Sequence, residues 1–102
     1  MKAEPTVHSE ELEELAHPVY RVNFWEKPIS AAFGWNLDAW VVFGAADLDE
    51  VSQWVEDHAK GRRYELFVEA VSQTYSGLET PRTASLVRLA GVNPNDPRFS
   101  DA

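Results

Sequence analysis

One stretch of this chain carries a start signal, an apolar stripe and a stop signal for a helix, and strand-like runs stand on both sides of it. Asp47 is placed to accept hydrogen bonds from a first turn, with Glu50 three positions on as a variant of the capping box. Leu48, Val51, Trp54, Val55 and His58 then recur at helical spacing, until Gly61 supplies a residue that readily turns left-handed. Acids gather at the start and bases at the finish, as the helix dipole favours. A chain with one substantial helix and several strands must build a sheet, and a single helix covers only one face of it. The far face has to be closed by something else.

The strands follow from alternation. From Val19 onward, Tyr20, Val22 and Phe24 point one way while Arg21, Asn23 and Trp25 point the other. Residues 27–35 hold Pro28 and Gly34 and read as a loop. The run Ala39-Trp40-Val41-Val42-Phe43-Gly44 is short, apolar and β-branched, which favours a second, more central strand joined to the first as a wide antiparallel hairpin. Residues 63–70 alternate again with Tyr64, Leu66 and Val68 inward, and residues 84–92 form a fourth strand with apolar groups on both faces. Residues 72–81 are turn-rich. Ser9 caps a short two-turn helix over 9–16 that Pro18 stops, since the residue before a proline is pushed out of the helical region.

The order (short helix)-β-β-α-β-β predicts an α+β fold. It is expected as a two-layer sandwich, a four-stranded, mostly antiparallel sheet with the long helix on one face. A crossover through the helix makes strands two and three parallel, adjacent or separated; inserting strand one between them makes every neighbouring pair antiparallel. Both orders stay open at this level. Residues 1–8 read as a flexible lead, 9–92 as a single domain and 93–102 as a flexible tail built on Asn93-Pro94-Asn95-Asp96-Pro97.

Composition narrows the functional classes. With 102 residues and 44% hydrophobic content the chain can bury one ordinary core. The absence of cysteine removes disulfide frameworks, thiolate catalysis and zinc ribbons, and fits a reducing compartment, with the cytoplasm as the default location. No basic-then-apolar leader and no long apolar run signals secretion or a membrane span. Nine basic residues stand against seventeen acidic ones, and residues 1–16 set Lys2 against Glu4, Glu10, Glu11, Glu13 and Glu14. Such a field repels polyanions, so nucleic acid is not the expected partner. The basic group Lys60, Arg62 and Arg63 falls where the helix ends and has a capping explanation.

Half of the twelve aromatic residues lie between Phe24 and Phe43. By alternation the far face carries Arg21, Asn23 and Trp25 from strand one, Glu65, Phe67 and Glu69 from strand three, and Leu86 and Arg88 from strand four. An interior does not accept Arg21, Glu65, Glu69 and Arg88 without close pairing. A solvated face does not usually offer Trp25, Phe67 and Leu86 together. Apolar anchors mixed with charge are characteristic of protein interfaces and shallow ligand grooves. The expected interaction surface is therefore Arg21, Trp25, Phe33, Trp35, Trp40, Phe67 and Arg88, taking a protein partner or a second copy of the chain. Two alternatives compete. The segment 9–16 or the loop bearing Phe33 and Trp35 could fold over the face as a second small core, or a small molecule could occupy a pocket between the 27–35 loop and the sheet, with His17 as its acid–base group.

Chemistry beyond binding finds little support, and no catalytic residue, metal ligand or cofactor is assigned. His8 beside Glu10 and Glu11 lacks metal-ligand spacing. His17 next to Pro18, and His58 in the last helical turn, are better read as structural. No nucleophile elbow occurs, and the five glycines are too scattered to cradle a phosphate. Glu65 and Glu69 share a strand face, but strand rise sets them about 13 Å apart, too far to act on one bond. Cross-strand pairing with Arg21 or Arg88 is the expected use of both. A small, acidic, non-enzymatic interaction module is the resulting expectation.

Overall fold

The computed structural model describes residues 1–7, 18–70 and 85–96. The expected short helix at 9–16, both His8 and His17, and the 72–81 loop lie outside these residues. Four strands and one helix follow in the order β1 (Tyr20–Glu26), β2 (Asn36–Val42), α1 (Leu48–Ala59), β3 (Arg63–Glu69) and β4 (Leu86–Gly91). They form an α+β fold. The sheet order is β2-β1-β3-β4 with every neighbouring pair antiparallel, so β1 is inserted between β2 and β3.

Alternation in β1 fixes which side is core. Val22 faces Trp40 of β2 and Leu66 of β3, and Tyr20, Val22, Phe24 and Leu66 are buried together with Val51 and Val55 of α1. Burying each such side chain contributes about 1.5–3 kcal/mol. Trp54 extends this layer sideways, 5.9 Å from the Phe24 ring and edge-on to Trp40 at 5.6 Å.

The helix begins as its sequence dictates. Glu50 N–H donates to Asp47 Oδ1 at 2.8 Å, and Glu50 Oε2 accepts from Ala46 N–H at 3.3 Å, so the reciprocal bond of the capping box is displaced by one residue. It ends with Lys60 at φ 52° and Gly61 at φ 80°, two consecutive left-handed residues where glycine alone was expected. Arg62 completes the stop. Its Nε and Nη2 donate to the Ala59 and His58 carbonyls at 3.0 and 2.9 Å, satisfying acceptors that the helix end leaves open.

The two outer strands differ from what local pattern indicated. β4 carries a bulge, since Leu66 pairs with Ala90 but Phe67 pairs with Arg88, leaving Leu89 extra. Gly91 ends it at φ 86°, where an added Cβ would run into the Tyr64 carbonyl oxygen, so no larger residue fits. β2, expected to be central, is an edge strand with β1 as its neighbour among the described residues. Its apolar run covers both faces because one row meets the Trp54 flank of the core while the other lies open. Periodicity cannot separate that case from a doubly buried strand.

Candidate functional site

The far face of the sheet is organised around two buried carboxylates. Glu65 and Glu69 on β3 are 2% and 1% exposed. Glu65 Oε1 accepts from the Trp25 indole N–H at 2.7 Å and from Asn23 Nδ2 at 3.3 Å, while its Oε2 takes Arg88 Nη1 at 2.6 Å. Glu69 pairs with Arg21 at 3.6 Å. The pairs join diagonal cross-strand neighbours, which lie within reach of long side chains. Arg88 also lies over the Phe67 ring, 4.8 Å from its centroid. Arg21 and Arg88, the two cations expected to pair across the strands with these carboxylates, divide between them, and no buried side-chain N or O among the described residues lacks a partner.

The loop and the C-terminal segment hold each other. Trp35 N–H donates to Asn95 Oδ1 at 3.0 Å, and Asn95 Nδ2 donates back to the Trp35 carbonyl at 3.4 Å. Residues 93–96 form a turn closed by Asp96 N–H on the Asn93 carbonyl, with Pro94 buried, and Arg63 lies 5.1 Å from the Trp35 ring centroid. Phe33 projects from this loop 70% exposed.

A third group gathers where α1 ends beside β2. An open cleft of about 490 Å³ is lined by Glu26, Asp38, Trp40, His58, Lys60 and Arg62. None of these comes from residues 27–35. Arg62 Nη1 reaches Asp38 Oδ2 at 3.1 Å and its guanidinium lies 4.6 Å from the Phe24 ring centroid. Donation from the Trp40 indole, and after it the Arg62 guanidinium, holds the Asp38 carboxyl below its ordinary 3.8, against the opposing effect of desolvation. His58 stacks on Trp54 at 4.2 Å, and its Nδ1–H donates to the Trp54 carbonyl at 2.7 Å. The polar groups here hold the helix end to the sheet.

The seven residues read from sequence as a surface thus separate into three places. Arg21, Trp25, Phe67 and Arg88 belong to the far-face network, Phe33 and Trp35 to the loop, and Trp40 to the opposite, helix-bearing side of β2. Trp25 is 7% exposed with its N–H on Glu65, and it offers little area to a partner. Among the described residues, open apolar side chains lie along both outer strands, Leu86, Val87 and Leu89 on β4 and a second row along β2. Leu37 and Trp40 are 53% and 45% exposed, and Phe43 just beyond the strand is exposed as well. Leu37 escaped the sequence reading because the strand was begun at Ala39. The spacing Leu37-Ala39-Val41 carried the signal, obscured by the continuous run behind it.

Comparison with family models, with curated proteins and with solved structures gives no match. Among the described residues no helix is long and apolar enough to cross a membrane.

Proposed function

We propose that this chain is a small, acidic interaction module of the cytoplasm that binds another protein or itself along the outer edge of β2 and the loop leading into it. One observation carries the reading: among the described residues the seven-residue strand Asn36–Val42 is a sheet edge, with exposed Leu37 and Trp40 in it and exposed Phe33 and Phe43 on either side. An edge strand presents unpaired backbone N–H and C=O groups, and proteins usually blunt such an edge with proline, lysine or a bulge. β2 has none of these, and its one charged residue, Asp38, is paired with Arg62. Backbone groups beside aromatic anchors are the elements used in recognition by strand addition. The far-face network supports this role by fixing β1, against which β2 is laid. Lack of cysteine fits a reducing compartment.

The reading is tested by comparing substitutions at the two sheet edges. The doubly substituted Phe33→Ser, Leu37→Asp chain should lose the associations of the wild type, whether with itself in sedimentation velocity or with cross-linked partners in lysate. Val87→Asp on β4 should retain them. Since all three positions are exposed, thermal midpoints should stay close to wild type. Associations that survive the β2-side substitutions, or that fail equally with Val87→Asp, would show that the contact lies elsewhere.

A further inference from the structure

We infer that the partner of the β2 edge is the β2 edge of a second copy, paired antiparallel about a two-fold axis through Ala39, which joins two sheets into one of eight strands. This rests on the interaction reading above and commits it to one occupant. The far-face row of β2, Leu37-Ala39-Val41, is self-complementary about its centre. On the far-face row, Leu37 meets the second copy's Val41 and Ala39 meets Ala39, so the smallest side chain of the row lies at the axis. On the helix-side row, Asp38 meets Trp40 rather than a second carboxylate, while each Asp38 keeps its own chain's Trp40 and Arg62 as donors. The register extends one step beyond the strand, bringing Trp35 opposite Phe43.

Neighbouring registers are worse for identifiable reasons. An axis through Asp38 sets two carboxylates directly opposite each other, which is destabilising. An axis through Trp40 forces two indoles together at the closest approach. A one-residue slip turns the second copy over and sets the apolar row against the Asp38–Trp40 row. With the axis at Ala39, pairing forms about six to eight backbone hydrogen bonds, depending on which alternate residues point outward. Both helices then lie on one side of the joined sheet.

The other edge is unsuited to the same use. β4 has its bulge at Leu89, its glycine in a left-handed conformation and Arg88 on its rim. The chain's formal charge of −8 opposes any self-association, but β2 contributes only the paired Asp38. Repulsion between the remaining charges is screened over about 8 Å at physiological ionic strength, so dimerisation should strengthen with added salt.

The chain has no cysteine, which makes a direct test available. Wild type should sediment at twice its 11.5 kDa monomer mass, and more completely at 0.5 M salt than at about 0.05 M. Under mild oxidation Ala39→Cys should form a covalent dimer, because directly opposed strand residues lie within disulfide range. Phe43→Cys, opposite Trp35 rather than itself, should cross-link at least about tenfold more slowly. Ala39→Lys and Ala39→Glu should each be monomeric and folded, and mixing them should restore a dimer. A monomeric wild type at millimolar concentration would overturn the inference, and so would a dimer that persists in both charged variants. The interaction reading survives either result if another protein is still lost with Phe33→Ser, Leu37→Asp, and falls only if that association too is indifferent to the β2 side.

Discussion

The sheet is buried on both faces around β1 and β3, but by opposite chemistry. On the helix side Val22, Phe24 and Leu66 meet Val51 and Val55, and the core between them closes by apolar packing. On the far side Glu65 and Glu69 are equally buried, yet they are held by Arg21, Arg88, Asn23 and the Trp25 indole. Apolar burial is non-directional and tolerates rearrangement. A buried carboxylate is stable only while each partner stays in place, because an uncompensated charge in a low-dielectric site is expensive. One set of strands therefore serves two packing regimes, separated by a single step in the sequence.

Truncation should be severe on either side. We expect Phe24→Ala to cost about 3–5 kcal/mol from lost burial and the cavity left behind. Glu65→Ala should cost a similar amount, about 3–5 kcal/mol, for a different reason, since it strands the Trp25 and Asn23 donors and leaves Arg88 without its partner. Urea denaturation measures both. A Glu65→Ala cost below 1 kcal/mol would mean that the far-face network contributes little, and the contrast between the faces would fail.

Replacement at constant volume should then divide them. Leu66→Met keeps size and apolar character and should cost less than about 1.5 kcal/mol. Glu65→Gln also keeps size, but its amide can still accept from only one side and turns N–H groups toward Arg88, so about 1.5–3 kcal/mol is expected, as for other hydrogen bonds to charged groups. Equal costs for the two swaps would remove the distinction between a face closed by shape and a face closed by paired charge.

Much of this division was legible in the sequence, because strand alternation is a local property that tertiary packing rarely overturns. Tyr20, Val22 and Phe24 against Arg21, Asn23 and Trp25 sorted β1 correctly, and the same count set Glu65 and Glu69 on a face with Arg21 and Arg88. The helix was equally legible, since Asp47 and Glu50 act within one turn. Strand order was not, because inserting β1 between β2 and β3 is decided by how the hairpin meets β3 across distant residues. The place of β2 at the sheet edge was hidden for a related reason: an apolar run has the same spelling whether it is central or an open edge. Arg62 shows a further limit. Its charge near the helix end was readable, but its reach to Asp38 and its place over Phe24 exist only once β2 and α1 lie side by side.

The smallest effect tests whether burial, rather than ion pairing as such, makes the far face costly to disturb. Asp38 also pairs with an arginine, but its side chain is 47% exposed, whereas that of Glu65 is 3% exposed. Because its folded-state pKa is depressed, the Asp38 carboxylate contributes stability above its unfolded value of 3.8 and loses that contribution as pH falls through the folded value. Asp38→Asn should therefore cost less than about 1 kcal/mol near neutral pH, as exposed pairs do, and the gap from wild type should close in acid. Salt supplies the sharper comparison. At about 1 M salt the Debye length falls to roughly 3 Å, so the Asp38→Asn difference should shrink while the Glu65→Gln difference persists, since a buried pair is screened much less. If both differences collapse together, Glu65 and Arg88 interact through solvent after all, and the far face is held by its aromatic contacts rather than by its carboxylates.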